Sequence, residues 1–572
     1  MKFDSLGNIV FRNRLYSSIE LRKWIDTIKA NLFRTINEGS IVGIYGERNE
    51  KLICIMFACI ECNITFIPID KDMPPDRLEY MMDKAKARYL ITNIDTIKHN
   101  LDKKIICINI HELLVKRESF DDSNLSVFVN RPVYILYTSG STGRPKGVMI
   151  SYESFENFLT AIPQIIPFGK KKNIACFTSI SFDISLMEIV LGLKSGMNLI
   201  LADDSERTNP KSLIKLINNY GIDVLQMTPS MLKMLQICNN NKLDFLKNVE
   251  SLLLGGEKLS DELLDDLHRD ITCKIYNMYG PTETTIWSTV SDLSNNNKSN
   301  IGKPILNTTI YIVDENNQPV EPGFEGELLI GGKGLAIGYV DEPELTKESF
   351  IYLNTCGNER VYRTGDICKV DALGNLLYIG RIDTQVKING HRIELEEIEY
   401  AIKKHEEVID AIVCNDNDTL ICFYKGDYDL AVSHIKENLC KLLPKYMIPA
   451  IFHRVDEFEY TISNKVDRKQ LLKNYRNRTE NVPSTEKLER NNKKHIEETI
   501  IKLFAERTEI AIQDVEISMT FEESGINSIS FVEFIVAIEE LFDFEFEEKY
   551  LNVEEFSSLG EVITYVRKRI II

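Results

Sequence analysis

The chain has 572 residues, a hydrophobic content of 44% and a formal net charge of −18. That length predicts about three or four domains or subdomains, and the acidity argues against nucleic acid as the main partner. The first fifteen residues lack the apolar core of a signal peptide, and no 18-residue apolar run occurs, so the expectation is a cytoplasmic chain without a membrane span. The twelve cysteines are scattered. One C-x-x-C, Cys59 and Cys62, falls in an apolar helical stretch and reads as two small core residues rather than a metal or redox pair.

In chain order, 41–45 reads as a strand, 51–62 as an apolar helix and 65–69 as the next strand. Turn chemistry fills 70–75, and Pro75-Asp76-Arg77 opens another helix. Strands alternating with helices predict an α/β fold built on a parallel sheet covered on both faces. The apolar run 133–137 reads as a buried strand. It feeds a loop of Thr138, Ser139, Gly140, Ser141, Thr142 and Gly143, closed by Lys146 and Gly147. Glycines let a backbone approach a ligand, and successive N–H groups and hydroxyls can surround phosphate oxygens. The loop is not a Walker sequence, because Pro145 precedes Lys146 and Gly147 follows it.

A helix is expected near 153–158, followed by βα units through 223–229 and 251–257. From 310 to about 378, short strands with Gly, Asn and Asp turns predict a β-rich lobe. A polar turn at 380–383 precedes a small α+β region. Residues 473–494 are polar and charged and read as a linker, and 495–572 as a short helical unit.

Seven strings stand in order along this chain. They are Tyr137-Thr-Ser-Gly-Ser-Thr-Gly-Arg-Pro-Lys-Gly147, Phe182-Asp-Ile-Ser185, Asn277-Met-Tyr-Gly-Pro-Thr-Glu283, Gly326-Glu-Leu-Leu-Ile-Gly-Gly332, Tyr362-Arg-Thr-Gly-Asp366, Gly380-Arg-Ile-Asp-Thr-Gln-Val-Lys387 and Ser463-Asn-Lys-Val-Asp-Arg468. The set resembles the adenylate-forming enzymes: acyl-CoA synthetases, luciferases and the adenylation domains of nonribosomal peptide synthetases. The resemblance implies an N-terminal core over 1–382, a small mobile α+β subdomain over 383–472, a linker over 473–494 and a helical-bundle carrier domain over 495–572.

It also implies a reaction in which a carboxylate attacks the α-phosphate of ATP, releasing pyrophosphate and leaving an acyl-adenylate. Two anions must meet, so cations and oriented donors are needed. By resemblance, the 138–143 loop and Lys146 serve the phosphates, and Glu283 helps bind Mg²⁺. Tyr279 lies near the adenine with Gly256 and Glu257, and Asn277 and Thr282 belong to the same nucleotide site. Asp366 accepts from the ribose hydroxyls, assisted by Arg381. Lys465 is the implied catalytic cation of adenylation. Asp383 is the implied hinge, about which the small subdomain swings so that Lys387 replaces Lys465 for thioester formation.

Asp183 matches the carboxylate that binds an amino acid's α-ammonium, a charge for which an acyl-CoA synthetase has no use. The implied lining positions are Ile184, Met187, Gln226, Leu253, Gly255, Met278, Ile286 and Trp287. Together with Asp183 they resemble the pattern of glycine-activating domains. Bulky side chains exclude larger acids sterically, whereas glycine and alanine differ by one methyl group, so alanine is the runner-up.

In the tail, Phe521-Glu-Glu-Ser-Gly-Ile-Asn-Ser528-Ile529 resembles the 4′-phosphopantetheine site of carrier domains. Ser528 opens a helix with apolar Phe531, Val532, Ile535, Ile538 and Phe542; a helix N-terminus suits a phosphodiester, although a serine there can also be a simple cap. An acidic run from Glu539 to Glu548 fits docking on basic surfaces or a solvated face. The implied partners are a phosphopantetheinyl transferase and a condensation or other acceptor enzyme in trans. Departures from the family pattern are Tyr152 (for His), Ile337 (for Arg), Asn389 (for Arg), Ser463-Asn464 (for Asn-Gly) and Asn527 (for Asp). An acyl- or aryl-acid ligase and a non-catalytic carrier scaffold are the competing functions.

Overall fold

The computed structural model describes residues 1–37, 39–94, 101, 104–116, 131–140, 143–296, 298–388, 390–416, 418–426, 432–459, 466–479, 493–508, 510, 512–542, 546, 548–551 and 555–570. Lys465, Ser141, Thr142 and Asn389 therefore lie outside the described residues.

Two large sheets form the core of the N-terminal part. One is seven-stranded, with Ile41–Tyr45 between Thr65–Ile69 and Tyr89–Thr92 in parallel register; Pro132–Thr138 follows beyond Thr65–Ile69. The other is nine-stranded, with Ser251–Gly255 between Val224–Met227 and Lys274–Tyr279, also parallel. The alternating βα pattern predicts these parallel centres, but both sheets turn antiparallel at an edge, at Lys146–Ser151 and at Thr289–Asp292. Helix Glu50–Glu61 is buried on nearly every side, which its continuous apolar sequence requires. Cys59 and Cys62 are fully buried at its carboxyl end, as small core residues.

A five-stranded antiparallel sheet containing Gly326–Gly332 and Glu359–Val370 forms the β-rich lobe. The small subdomain carries a three-stranded sheet, Val408–Asp416, Thr419–Gly426 and Ile451–Arg454. Its two faces follow the period of a strand. Ala411, Val413, Leu420 and Cys422 pack on helices Leu395–Ile402 and Val432–Leu442. Ile412, Cys414, Ile421 and Phe423 pack on helix Arg468–Thr479. That helix corrects the linker boundary: Tyr475 is buried against Phe423, so this packing continues past residue 472.

The carrier unit is a helical bundle of Lys493–Thr508, Ser528–Phe542 and Leu559–Ile570. Phe504, Phe531, Phe534, Ile535 and Ile538 fill its interior. The helical positions expected to form one apolar face in fact serve two. Val532, with Ile529 and Val536, points outward and joins the hydrophobic cluster of the nine-stranded sheet, against helix Pro229–Cys238. Beside it, Glu539 pairs with Lys211 at 3.2 Å, so this member of the acidic run docks on the chain's own large lobe. On the opposite side Asn527 Nδ2 donates to Thr419 Oγ1 of the small subdomain at 3.3 Å. No helix among the described residues is long and apolar enough to cross a membrane.

Candidate active site

The cleft opens where the carboxyl ends of the parallel strands meet the small subdomain, the usual place for a ligand in open α/β sheets. Hairpin Val386–Ile388 and His391–Ile393 closes it. Lys387 stands directly opposite Arg392 in register, so both side chains leave the same face. Ile388 and Ile393 take the other face, into the subdomain core. Lys387 thus lines the cleft with Asp366, Arg381, Arg392, Thr282 and Asp183, and its Nζ lies 5.8 Å from the Tyr279 ring centroid. Burial, more than its neighbours, lowers the Lys387 ammonium pKa.

Asp366 accepts from Tyr279 Oη at 2.5 Å and from Arg381 Nη1 at 2.6 Å, one donor per oxygen. Each oxygen keeps a lone pair for a further donor. Arg381 also grips Asp383 through Nε and Nη2, both at 2.6 Å, so one guanidinium links Asp366 to Asp383. Glu283 is wholly buried. It accepts from Arg392 Nη1 at 2.7 Å and Tyr339 Oη at 2.8 Å, with Lys146 Nζ at 3.5 Å. Burial alone would raise its carboxyl, but Arg392 and Lys146 outweigh that and hold it down to about 2. Arg392 lies in none of the seven motif strings, although it stands in the second strand of the hairpin that carries Lys387.

Strand Pro132–Thr138 runs antiparallel to Lys146–Ser151, with Thr138 opposite Lys146. The glycine-rich loop is therefore a hairpin loop with no helix behind it, which is why its sequence departs from the Walker pattern. Thr138 Oγ1 is buried without a hydrogen-bond partner and its residue lines the cleft with Ser139. A buried hydroxyl of this kind calls for a ligand oxygen.

Asp183, Ile184 and Trp287 line the cleft. Burial pushes the Asp183 carboxyl up to about 6, against hydrogen bonds from Thr282 and from the Ile184 N–H. Met187, Gln226, Leu253, Gly255, Met278 and Ile286 are not among the lining residues; the side chains lie behind these, in the core. Trp287 explains the difference. It is only 1% exposed, its Nε1 donates to Gln226 Oε1 at 3.3 Å, and Gln226 Nε2 donates to Ile184 O and Glu188 Oε1, each at 3.2 Å. A Cβ on Gly255 would stand 2.6 Å from Trp287 Cη2, so glycine at 255 is what lets the indole enter.

Two further expectations need correction. Asn277 does not line the cleft; its amide donates to Asn300 O at 2.8 Å inside the sheet. Gly256 lines the cleft but Glu257 does not. Its carboxylate is used by Ser230 N–H and Oγ and by the Gly390 N–H, at 3.0, 2.5 and 2.5 Å, which fastens the Lys387 hairpin to the large lobe.

Among the described residues no group of three or more His, Cys, Asp or Glu could hold a metal by itself. Mg²⁺ needs no such group, because one carboxylate plus substrate phosphates and water suffices; Glu283, the expected ligand, is wholly buried in this pose, engaged by Arg392 and Tyr339, and is not among the residues lining the cleft. In the carrier, Asn527 Oδ1 accepts from Ser530 N–H at 2.8 Å and Asn527 O accepts from Phe531 N–H at 2.8 Å. Asn527 is thus the cap of helix Ser528–Phe542, and the capping role suggested for Ser528 falls to its neighbour.

The model of the AMP-binding enzymes matches residues 9–340. The chain belongs to the AMP-binding enzyme family. A second match, the phosphopantetheine attachment site, covers 498–566 and makes the chain an adenylation–carrier didomain. It is 36% identical over 450 residues to a dimodular nonribosomal peptide synthase of Bacillus subtilis (strain 168), covering 76% of this chain and 19% of that protein. The didomain therefore spans about a fifth of the length of that curated relative. Among solved structures, holo-PA1221, with adenylation and PCP domains, matches the fold at a TM-score of 0.82 over 99% of this chain and 94% of that one, with 24% identity. Holo-AB3403, a four-domain nonribosomal peptide synthetase bound to AMP and glycine, matches at 0.61 with 28% identity, over 99% of this chain and 42% of that one.

Proposed function

We propose that the didomain activates glycine with ATP as the glycyl-adenylate, releases pyrophosphate, and loads the glycyl group on its own carrier unit as a thioester. AMP-binding enzymes use ATP and Mg²⁺, and the carrier family takes 4′-phosphopantetheine. The observation that carries the amino-acid reading is Asp183, a buried carboxylate at the cleft wall with no cation hydrogen-bonded to it among the described residues. A substrate ammonium would restore the charge balance that burial disturbs. In this reading Asp366 and Arg381 hold the ribose, Tyr279 and Gly256 flank the base, and Thr138 and Ser139 meet phosphate oxygens.

Mg²⁺, held by Glu283 and phosphate oxygens, would neutralise charge on the triphosphate. For adenylation the cation is assigned to Lys465. For thioester formation it is Lys387, which faces the cleft in this pose and can stabilise negative charge on the departing AMP. The phosphopantetheine of Ser528 supplies the accepting thiol, and the carrier's docking between the two lobes supports delivery in cis. A phosphopantetheinyl transferase and a downstream acceptor enzyme complete the proposed partners.

Glycine is favoured because Trp287 occupies the space a side chain would need, and because the glycine-bound four-domain relative is 28% identical. Alanine is the nearest competitor. The deciding experiment is amino-acid-dependent exchange of labelled pyrophosphate into ATP across the proteinogenic amino acids and a set of aryl acids. A dominant glycine signal is expected; a dominant larger or aryl acid would overturn the substrate assignment. In Trp287→Ala the glycine preference over alanine should fall roughly 10-fold or more, the scale set by one methylene in an apolar pocket. The same exchange assay with both amino acids checks it, and thermal unfolding should show a loss of about 3–5 kcal/mol for the truncated indole.

A further inference from the structure

The phosphate loop is engaged in this pose, and by an anion of the protein itself. Gly140 N–H donates to Glu397 Oε2 at 3.0 Å, while Glu397 Oε1 accepts from Arg77 Nη1 at 2.6 Å. Both side chains are buried, with 1% and 7% of their side-chain surface exposed. Next to them Ser139 Oγ donates to Arg392 O at 2.7 Å and accepts from the Glu394 N–H at 3.1 Å. Tyr400, further along helix Leu395–Ile402, lies against Gly143: a Cβ there would be 2.4 Å from the Tyr400 ring. The small subdomain therefore packs on Ser139, Gly140 and Gly143 and sets a carboxylate against the Gly140 N–H.

A carboxylate remains charged in such burial only where cations and N–H donors compensate it. The same donors suit a phosphate oxygen. We infer that Glu397 is a built-in substitute for pyrophosphate: its carboxylate and the leaving pyrophosphate compete for the Gly140 N–H, and Arg77 holds Glu397 in place for that exchange. The inference rests on the reading of this loop as the phosphate site. Glu397 and Arg77 are then positioning residues. They act through Lys387, which reaches the cleft when helix Leu395–Ile402 seats on the loop, and they couple pyrophosphate departure to the thioester step.

The competition predicts effects of opposite sign, which a purely structural ion pair does not. With the full chain holding a non-hydrolysable glycyl-adenylate analogue, calorimetric titration with pyrophosphate should give tighter binding to Glu397→Gln than to the wild type, by roughly fivefold or more, because apparent affinity scales with the fraction of loops left open. Single-turnover loading of the phosphopantetheinylated chain should slow by about tenfold in the same variant, with pyrophosphate exchange retained. Glu397→Asp keeps the charge but shortens the side chain by one methylene. It should show the same pair of shifts, and it serves where the Gln variant folds poorly. Unchanged or weaker pyrophosphate binding, or unimpaired loading, would overturn the inference. A wild-type chain that supports no exchange with any acid would instead remove the phosphate-loop reading on which it rests.

Discussion

Asp183→Asn is expected to lower kcat/KM for glycine in pyrophosphate exchange by roughly 30-fold to several thousand-fold. The range corresponds to about 2–5 kcal/mol for truncating one member of a buried, hydrogen-bonded charge pair. Asparagine preserves the volume and can still accept from Thr282, so the loss isolates the charge. The pH dependence gives a second reading of the same residue. Burial places the Asp183 carboxyl near 6, and only its ionised form attracts an ammonium. The substrate ammonium stays protonated across the acid side of neutrality. KM for glycine should therefore be flat above pH about 6 and rise about tenfold for each unit below it. Occupancy by the ammonium favours the ionised carboxylate, so the break in kcat should fall at lower pH than the break in kcat/KM. In Asp183→Asn that acid limb should vanish. Retention of full glycine exchange in the variant would exclude Asp183 as the ammonium partner.

Ser528→Ala should abolish covalent loading altogether while pyrophosphate exchange remains at the wild-type rate. The prediction is clean because the cap of helix Ser528–Phe542 is Asn527, whose Oδ1 and main-chain carbonyl take the Ser530 and Phe531 N–H groups. Losing the hydroxyl next to an intact cap should change stability by less than about 0.5 kcal/mol. Intact-protein mass measured after treatment with a phosphopantetheinyl transferase, and then with ATP and glycine, follows both additions. The wild type should gain the prosthetic group and then glycine; the variant should gain neither. A glycyl adduct on the variant would relocate the acceptor to another nucleophile and overturn the carrier assignment.

The two expectations separate the catalytic readings from one another. A scaffold that only presents a carrier would be primed on Ser528 yet show no exchange. An aryl-acid ligase would exchange independently of Asp183. An amino-acid-activating didomain needs both residues, each in a different half-reaction.

The sequence by itself determined what contiguous residues can carry. The apolar run and glycine-rich loop at 133–147, Asp183, Tyr279, Asp366, Arg381 and Lys387 each sit in a short string whose backbone geometry is local, and each of these single residues, like Thr138 and Ser139 of the loop, is found at or against the cleft. Apolar strand runs alternating with helical stretches likewise marked the βα pattern of the core sheets. Where membership of a string was the sole guide, direction was lost. Asn277 and Glu257 share strings with cleft residues, yet one donates to Asn300 O inside the sheet and the other, past the end of its strand, holds the Gly390 N–H. Val532 looks like another core position of its helix, and it took the packed lobe beside it to turn that position into a docking contact. The tertiary structure alone decided the contacts between distant segments. Arg77 and Glu397 lie 320 residues apart, and Arg392 meets Glu283 across 109. Each pair joins the small subdomain to the large lobe. Of the four residues only Glu283 sits in a motif that marks it; Arg77, Glu397 and Arg392 carry no local signal, since a lone charged residue in a helix or strand reads as solvated until folding buries it beside its counter-charge.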